Sequence, residues 1–312
     1  MMRALVTGGA GFIGSHLVDL LIAEGHDVAV VDNLVTGKRD NLHPRARFYE
    51  VDVVNPDVEG IIADERPEVV FHQAAQMSVK ASTDDPRYDA RVNVLGLVNV
   101  LEACTKARVR KVVFASSGAT YGNPVYLPID EDHPQRPESP YGITKMVAEH
   151  YLHYYALDRG LQYTALRYGN VYGPRQDPHG EAGVVAIFAR QLLTGETPTV
   201  HWDGEQVRDY VYVTDVARAN ILAATAGNGH CYVIGTGVGT SVNQIYRMLC
   251  AIIGVDVTPR RAPRRPGDLR TAYFNVQRAR RELGWEPSVS LQEGLEQTVE
   301  SCRRELLGTP VE

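Results

Sequence analysis

A tyrosine and a lysine stand one helical turn apart in the segment Tyr141-Gly142-Ile143-Thr144-Lys145. Ser139 and Pro140 just before them are a typical helix start, with serine as the N-cap and proline at the first helical position. A free phenol, with a pKa of about 10, is a poor base at neutral pH, but a neighbouring ammonium and a helix N-terminus both favour the phenolate. The pair therefore predicts an acid–base centre at Tyr141, with Lys145 beside it on the same helical face.

Hydroxyl groups follow the apolar segment at 111–115 in the run Ser116-Ser117-Gly118-Ala119-Thr120-Tyr121-Gly122. The apolar segment predicts a buried strand of a parallel sheet, and ligands of such sheets bind at the carboxyl ends of the strands. We predict that Ser117 hydrogen-bonds the reacting oxygen, with Ser116 as the alternative. The other interpretation of these serines is strand-end and turn chemistry.

A glycine-rich turn near the start of the chain, with Gly8, Gly11 and Gly14, separates a predicted strand at 3–7 from a predicted helix at 12–24. Gly8 permits the tight turn, Gly11 lets the backbone approach a pyrophosphate, and Gly14 lets helix and strand pack closely. The helix N-terminus then presents free N–H groups to phosphates. This pattern predicts a bound dinucleotide whose nicotinamide lies beside Tyr141.

A carboxylate ends the next predicted strand, at 27–32. Asp32 lies at about the usual distance from the glycines for a residue that bonds the adenosine ribose, and a carboxylate there repels a 2′-phosphate. NAD is therefore favoured, although Lys38 and Arg39 further along the loop leave NADP open. Asp52, after a third predicted strand at 46–51, is predicted to bond the adenine amino group.

Strands and helices alternate through the first half of the chain, which predicts a doubly wound α/β fold. Predicted strands are 3–7, 27–32, 46–51, 68–72, 111–115 and 162–167, and predicted helices are 12–24, 57–65, 85–107 and 140–159. Later helices are expected near 183–194, 240–254 and 291–306, and 231–234 is expected to return as a strand to the main sheet. We predict a dinucleotide domain of residues 1–169 plus about 209–236, and a smaller mixed α/β substrate domain of 170–208 and 237–312.

Composition narrows the class of protein. The net charge of −6 gives no overall basic face for nucleic acid. No apolar run approaches the roughly 18 residues of a membrane span, and the N-terminus runs straight into a strand without a signal sequence. The four scattered cysteines, and ten histidines without ligand spacing, predict a cytoplasmic enzyme with neither disulfides nor a metal.

The chain resembles the extended short-chain dehydrogenase/reductases, and among them the UDP-galactose 4-epimerases and related UDP-sugar epimerases. The shared motifs span the whole chain. They are the segments 7–16, 31–33, 116–122, 141–145, 166–174, 208–213 and 265–268, together with Asn93. The last three segments lie outside the cofactor motifs and are specific to the nucleotide-sugar branch.

The resemblance implies a Rossmann domain that binds NAD through residues of the glycine turn, the strand ends and two helices. These are Gly8, Gly11, Phe12, Ile13, Gly14, Asp32, Asn33, Asp52, Val53, Gln73, Ala74, Ala75, Asn93, Tyr141, Lys145 and Tyr168. It likewise implies a set of substrate residues, namely Ser78, Ser117, Asn170, Val185, Arg208, Arg265, Asp268 and Ala272.

Several substrate residues carry charge that suits a nucleotide. By the resemblance, Asn170, Arg208 and Arg265 hold the diphosphate and Asp268 bonds the uridine ribose. Residues 260–270 are the densest positive patch of an acidic chain, and arginine suits bidentate phosphate recognition. On composition alone the alternative is a solvated or RNA-binding loop.

The residues after the catalytic hydroxyl separate this chain from related enzymes of other activity. Sugar 4,6-dehydratases resemble it but carry an Asp-Glu pair there, and UDP-glucuronate decarboxylases carry a Glu, whereas here the positions are Gly118 and Ala119. The cysteine typical of fucose-synthase-like enzymes is also missing from the stretch between Ser117 and Tyr141. The resemblance therefore implies reversible C4 epimerisation of a UDP-hexose through a 4-keto intermediate on retained NAD.

Two positions bear on which sugar fits. By the resemblance, a gate residue lies five places after Gly267, at Ala272, where a small side chain leaves room for an N-acetyl group. A shift of one place would put Tyr273 in the gate and restrict the enzyme to UDP-glucose and UDP-galactose. Met77 stands near the place of a lysine found in galactose-specific members, which implies that Ser78 contacts the sugar and keeps UDP-glucuronate open.

Two other activities are compatible with a chain that binds NAD. A net nucleotide-sugar oxidoreductase would release or consume reduced cofactor, and a non-catalytic NAD-binding regulator would lack the catalytic trio that this chain retains.

By the resemblance, helices at 85–107 and 140–159 form a four-helix interface of a homodimer. Val92, Leu95, Val98 and Leu101 make an apolar stripe that faces either the sheet or the partner.

Overall fold

A computed structural model describes residues 1–179, 183–265 and 267–308. Strands within these ranges are β1 Arg3–Thr7, β2 Asp27–Asp32, β3 Arg47–Glu50, β4 Val69–His72, β5 Lys111–Ser117, β6 Gln162–Tyr168, β7 Asn170–Tyr172, β8 Thr199–His201, β9 Val207–Tyr212, β10 His230–Ile234, β11 Gly239–Ser241, β12 Arg260–Ala262 and β13 Thr271–Ala272. Helices there are α1 Phe12–Ala23, α2 Asp57–Glu65, α3 Val79–Asp84, α4 Pro86–Ala90, α5 Gly96–Lys106, α6 Pro140–Arg159, α7 Val184–Leu193, α8 Val213–Ala223, α9 Val242–Ile253, α10 Gln277–Leu283 and α11 Leu291–Leu306.

Seven parallel strands form the main sheet in the order β10-β6-β5-β4-β1-β2-β3. Two apolar clusters cover its faces, one packed with α1, α8 and α10 and the other with α2, α5 and α6. The predicted doubly wound α/β fold is confirmed, including the return of β10 to the sheet beside β6. The strand order reverses between β1 and β4, and ligands of open α/β sheets bind at the carboxyl ends of the strands there.

A smaller layer lies beyond this sheet. Strands β11, β9 and β13 pair side by side, β7 joins β9, and β8 pairs with β12. A third apolar cluster packs this layer against α7, α9 and α11. Strand β9 belongs to this smaller sheet whereas α8 packs on α1 of the larger one, so the chain crosses between the two layers at Tyr212.

Local chemistry explains why the site-bearing helix begins and ends where it does. The Ser139 hydroxyl accepts a hydrogen bond from the Gly142 N–H at 3.1 Å, Pro140 takes the first helical position, and Gly160 ends α6 in the left-handed region. Tyr141 and Lys145 therefore occupy its first turns.

The predicted helix at 85–107 is confirmed from Pro86 to Lys106, but its winding is not uniform. A π turn at Arg91–Leu95 joins α4 to α5, and its wider winding rotates the side chains that follow it. Val92 and Leu101 are buried, Leu101 in the apolar cluster that covers the sheet, whereas Leu95 is 62% exposed. The residues of the predicted apolar stripe therefore do not all face the same way.

Helix α8 follows β9 directly and is absent from the predicted elements. No glycine or proline separates it from the strand, so the usual boundary signal is missing. None of the helices in the described ranges is both long and apolar enough to span a membrane.

Candidate active site

Ser117, Tyr141 and Lys145 meet at the carboxyl end of β5. The Ser117 hydroxyl accepts from the Ala119 N–H at 3.1 Å and hydrogen-bonds the phenol of Tyr141. The Lys145 Nζ donates to the Ala115 carbonyl at 2.7 Å and lies 5.8 Å from the centroid of the Tyr141 ring. The predicted trio is thus brought together by one strand end and the first turns of α6.

Burial dominates the electrostatics of this trio. Burial raises the pKa of Tyr141, although the hydrogen bond from Ser117 opposes the rise. Burial also lowers the pKa of Lys145 to about 8, against the charges of Asp89 and Glu149. In the chain alone the pKa of the phenol is therefore raised, because burial is the largest effect on it.

The two candidate serines occupy different environments. Ser116 is fully buried and donates to Glu149 Oε1 at 2.6 Å, and the same carboxylate receives two hydrogen bonds from Arg167. Burial alone would raise the pKa of Glu149, but Arg167 outweighs it and holds the pKa below its usual value. Ser116 therefore belongs to a buried ion-pair network that fastens β5 to α6, while Ser117 faces the phenol.

The glycine turn has the geometry of a phosphate cradle. A Cβ on Gly14 would lie 2.1 Å from the Gly8 carbonyl oxygen, and one on Gly8 would lie 2.6 Å from the Ala74 nitrogen. Gly11 precedes α1 as an N-cap without a side-chain hydrogen bond, so Phe12 and Ile13 begin the helix with no side-chain acceptor at its cap. These donors fit an anionic dinucleotide, as the sequence predicts.

Carboxylates shape the adenosine end of this cradle. Asp32 accepts from the Ala10 N–H at 3.0 Å and the Leu34 N–H at 2.8 Å, so it also fixes the turn after β1. Asn33 donates to Asp52 Oδ2 at 2.9 Å across the ends of β2 and β3. Val53, next in the chain, is buried beside them. The predicted adenosine residues thus lie together at one edge of the sheet.

Polar side chains beneath the expected nicotinamide position form a network that includes one residue not foreseen. Gln73, followed by Ala74 and Ala75, extends from β4, and its Nε2 donates to Asn220 Oδ1 at 2.9 Å. Asn220 Nδ2 in turn donates to the Tyr168 hydroxyl at 2.8 Å. Asn220 lies on α8, the helix that the sequence did not predict, which explains why it was missed.

A buried aspartate links three elements around the catalytic helix. Asp89 Oδ1 accepts from Gln76 Nε2 at 2.7 Å and from Asn93 Nδ2 at 3.0 Å. Its Oδ2 accepts from the Thr144 hydroxyl at 2.8 Å, between Tyr141 and Lys145. Asn93 also accepts from the Gln76 N–H at 2.8 Å. Asp89 was not predicted, since an acid on a short helix gives no signal before the fold brings it inside.

The loop after this network carries two residues singled out for the sugar. The Ser78 hydroxyl caps α3 by accepting from the Ala81 N–H at 2.9 Å. Met77 is exposed. Ser78 therefore has a structural task, which leaves its predicted sugar contact a prediction.

The predicted diphosphate residues lie on the smaller layer. Asn170 is exposed at the start of β7, and Arg208 is half-buried on β9. Burial lowers the pKa of Arg208, and the charge of Asp268 acts against that shift, so these two residues are electrostatic neighbours. Arg265 is exposed on the loop that also carries Asp268. The structure thus relates Arg208 to Asp268 directly, and it places Asn170 and Arg265 at exposed positions of the same layer.

Val185 has a different geometry from the other predicted substrate residues. Its side chain is buried in the third apolar cluster, so it does not face a ligand. Only its backbone is available, in the first turn of α7, where Gly183 precedes the helix without a side-chain cap.

Ala272 and Tyr273 occupy opposite sides of an extended segment. Ala272 pairs with Arg208 in register and packs against the first apolar cluster, together with Phe274. A Cβ on Gly118 would lie 2.6 Å from Cζ of that Phe274, which places Ala272 on the side of the catalytic strand end. The Tyr273 ring instead lies beside Gly239.

Within the described ranges, histidine, cysteine and acidic side chains form no group that could hold a metal ion. The donor set at the site is instead hydroxyls, backbone N–H groups and arginines. It suits phosphates and a sugar hydroxyl.

Comparison with known proteins agrees with these features. The model of the NAD-dependent epimerase/dehydratase family matches residues 4–235. A UDP-glucose 4-epimerase of Mycolicibacterium smegmatis is 48% identical over 309 residues, which cover 97% of this chain and 99% of that protein. The sequence resemblance is therefore confirmed over nearly the whole length.

Solved structures of similar proteins include two relevant epimerases. The UDP-glucose 4-epimerase of Thermotoga maritima, solved with UDP-glucose, is 51% identical with a TM-score of 0.96, covering 98% of this chain and 100% of that one. A UDP-N-acetylglucosamine 4-epimerase of Methanobrevibacter ruminantium, solved with UDP-N-acetylmuramic acid, is 34% identical with a TM-score of 0.93, covering 97% and 99%.

Proposed function

Because the chain belongs to the NAD-dependent epimerase/dehydratase family, we propose that it reversibly inverts C4 of a UDP-hexose, as its relatives named UDP-glucose 4-epimerase do. Bound NAD supplies the hydride acceptor for C4 and a positive ring that favours the phenolate of Tyr141. Ser117 orients the sugar 4-hydroxyl, and Tyr141 takes its proton as hydride leaves C4. After the 4-keto sugar turns about its diphosphate link, hydride would return to the opposite face of C4, and Tyr141 returns the proton to the C4 oxygen.

We further propose roles for the remaining predicted residues, since their positions are compatible with the chemistry. Lys145 holds its positive charge close to Tyr141. The glycine turn, Asp32, Asn33, Asp52 and the loop after β4 bind the dinucleotide. Arg208 and Arg265 bind the diphosphate of the substrate, with Asn170 and the first turn of α7 beside them.

The observation that carries epimerisation rather than elimination is the pair of residues after Ser117. Neither Gly118 nor Ala119 has a carboxylate, and a Cβ at Gly118 would already meet the Phe274 ring. A dehydratase needs an acid and a base there to remove water from the sugar. The position therefore favours simple transfer and return of hydride and proton.

Incubation of the purified protein with UDP-galactose, without added cofactor, tests this function. We expect UDP-glucose as the product and no lasting absorbance of reduced nicotinamide, because the cofactor is regenerated in each cycle. A net oxidoreductase, the second candidate, would stop after one turnover unless NAD(H) were supplied. No conversion by protein that is shown to contain NAD would contradict the proposal.

The substrate range is proposed to include N-acetylated sugars, because Ala272 lies on the side of the catalytic strand end. Ala272→Tyr is expected to lower kcat/KM for UDP-N-acetylgalactosamine at least about tenfold more than for UDP-galactose, since the phenol fills the space of the acetamido group. Equal losses on both sugars would show that Ala272 is not the gate. Activity on UDP-glucuronate, the remaining alternative, is measured in the same assay.

We infer a homodimer from the outer faces of α5 and α6, whose proximity is shown by the hydrogen bond between Tyr155 and Glu102. Helix α6 exposes an apolar stripe in which Leu157 is 75% exposed, and Leu95 beside α5 is also exposed. The other exposed apolar side chains of this surface are Tyr88, Ile143, Tyr151 and Tyr154. Several large apolar side chains exposed on neighbouring helices favour a protein interface there.

We also propose that the enzyme works in the cytoplasm. Its four cysteines are free thiols in the structure, as expected where the surroundings are reducing. Cell fractionation would test this, and recovery of the enzyme outside the cytoplasm would contradict it.

A further inference from the structure

Two arginines lie over the ring of a tryptophan at the base of the arginine-rich loop. Cζ of Arg264 is 4.7 Å, and Cζ of Arg270 is 4.8 Å, from the centroid of the Trp202 ring. We call these three residues the Trp202 clamp, and the described residues 263–265 and 267–270 the arginine loop. Tryptophan is the aromatic side chain that attracts guanidinium groups most strongly. The clamp therefore joins the two ends of a loop that carries Arg265 between them.

Hydrogen bonds fasten the same loop to the turn that begins with Trp202. The Trp202 N–H donates to the Ala262 carbonyl at 2.8 Å, and the Val207 N–H donates to the Arg270 carbonyl at 2.9 Å. Arg270 Nη1 also donates to both carboxylate oxygens of Asp203 at 2.8 Å. The loop thus leaves and rejoins the smaller layer at either side of this turn.

The backbone conformation of Trp202 is unfavourable for a tryptophan, which indicates that the contacts of its indole ring stabilise it there. Its φ is +59°, in the left-handed region that is unfavourable for a bulky side chain and free of strain for glycine. Such strain persists only where surrounding contacts require it. Here the contacts are the two guanidinium groups, so the clamp explains a tryptophan where glycine would fit the backbone better.

We propose that the Trp202 clamp is a positioning device that orders the arginine loop, so that Arg265 and Asp268 meet the nucleotide of a UDP-sugar. This inference rests on the proposed function of Arg265 and Asp268. Arg264 supports it inside the loop, because its Nη2 donates to the Asp268 carbonyl at 2.7 Å. Trp202 itself acts through the arginines and does not touch the reacting atoms. The clamp strengthens binding of the substrate and of the transition state equally. Its loss should therefore raise KM and leave kcat unchanged.

Trp202→Gly tests the clamp without straining the backbone. We expect the KM for UDP-galactose and the Kd for UDP to rise about tenfold, the effect of losing two cation–π contacts. The kcat and the bound NAD should stay within about twofold of wild type. Arg260→Gln is the matched control, because it removes an exposed positive charge from the same patch but not from the clamp. Its KM should not change.

Tryptophan fluorescence gives a readout that a purely structural role would not produce. The chain has two tryptophans, and Trp285 is fully buried in the first apolar cluster. Titration with UDP should change the emission of the wild-type protein, and Trp202→Phe should abolish that change. Trp202→Phe also serves as a second variant for the KM measurement.

The outcomes separate the clamp from the proposed function. Wild-type protein that binds UDP while Trp202→Gly binds it equally well would overturn the clamp alone. An equal rise in KM for Arg260→Gln would overturn it too, because the patch would then act through its net charge. Wild-type protein that binds no UDP would overturn the proposed function and the clamp together.

Discussion

At the scale of single residues, the pKa of Tyr141 in the chain alone is unfavourable for the general base that we propose it to be. Burial raises the pKa of Tyr141 and lowers that of Lys145, so neither side chain alone makes the other reactive. The Ser117 hydroxyl is the group of the chain that lowers the pKa of the phenol. In the proposed mechanism, a positively charged cofactor ring would favour the phenolate as well as accept the hydride.

Tyr141→Phe removes only the phenol oxygen. We expect turnover of UDP-galactose to fall about a thousandfold, within the range for general acid–base catalysis, while NAD stays bound because the glycine turn is unchanged. Turnover is measured by product chromatography, and NAD by its release from denatured protein. Tyr151→Phe, at an exposed tyrosine of the same helix, is the matched control, and near-normal turnover of Tyr141→Phe would exclude its role as the base.

Lys145→Met should stabilise the NAD-free protein while it destroys activity. The pKa of Lys145 falls from 10.5 to about 8 in the folded chain, so the buried ammonium costs about 3 kcal/mol below pH 8. Loss of its hydrogen bond to Ala115 offsets about 1 kcal/mol of this gain. The free energy of unfolding of Lys145→Met should therefore exceed that of wild type by about 2 kcal/mol.

The pH dependence of this gain has a fixed sign. Between about pH 8 and pH 10.5 the unfolded chain holds the Lys145 proton and the folded chain does not, so the stability of the wild-type protein rises with pH. The advantage of Lys145→Met over wild type therefore shrinks through this window. Urea unfolding at pH 7 and pH 9.5 measures it, and a variant less stable than wild type at pH 7 would contradict the account.

At the scale of elements, the site depends on how closely β1, α1 and the loop after β4 approach one another. Gly14→Ala would place a Cβ 2.1 Å from the Gly8 oxygen, so we expect a loss of about 3 kcal/mol in the free energy of unfolding and loss of bound NAD. Gly60→Ala is the control, because it lies in α2 with open space around it and should stabilise by about 0.5–1 kcal/mol. Equal stability of the two variants would contradict the packing described.

Asp89 tests whether the hydrogen-bonded network holds the catalytic helix. Asp89→Ala removes one buried acceptor from each of Gln76, Asn93 and Thr144, which should cost about 3 kcal/mol of stability. Asp89→Asn should lose less than about 1 kcal/mol of stability, because its amide oxygen replaces one acceptor and its amide NH2 group can donate to the Thr144 hydroxyl. Thermal or urea unfolding distinguishes them, and equal losses would show that the charge matters more than the hydrogen bonds.

Periodic and capped segments were predictable from the sequence, and features that depend on tertiary contact were not. The strands of the main sheet and helix α6 follow from apolar runs and from the Ser139-Pro140 start. The π turn at Arg91–Leu95 and the role of Asp89 depend on neighbours far along the chain. Helix α8 was missed because β9 leads into it without a break, and Asn220 was missed with it.

Part of the candidate site was predictable in the same way. The glycine spacing and the Tyr141–Lys145 spacing are local patterns, and the structure places both at one edge of the sheet. The choice between Ser116 and Ser117 needed the Glu149–Arg167 ion pair, and the sides taken by Ala272 and Tyr273 needed the pairing of β13 with β9. Spacing alone does not contain these contacts.

At the scale of the whole molecule, the exposed faces of α5 and α6 predict the assembly. Leu95→Glu combined with Leu157→Glu places charges in an apolar interface, where they cannot be desolvated cheaply, so we expect a dimer to dissociate to monomers in light scattering. Val125→Glu, at an exposed apolar residue of a distant loop, is the control. A double variant that stays dimeric would place the interface elsewhere.

The two layers divide the work of the proposed reaction. The main sheet holds the cofactor and the acid–base trio, while the smaller layer supplies the arginines that keep the diphosphate bound as the keto sugar turns. Such an arrangement predicts that C4 exchanges its hydrogen with nothing outside the site.

The most direct test of this claim is to convert UDP-galactose carrying deuterium at C4 and to locate the label in the product by NMR. Hydride that leaves C4 and returns from the same bound NAD should leave the deuterium at C4 of UDP-glucose, with none lost to water. Loss of the label to solvent would contradict the account, because C4 would then be inverted by proton exchange or through a cofactor that leaves the site.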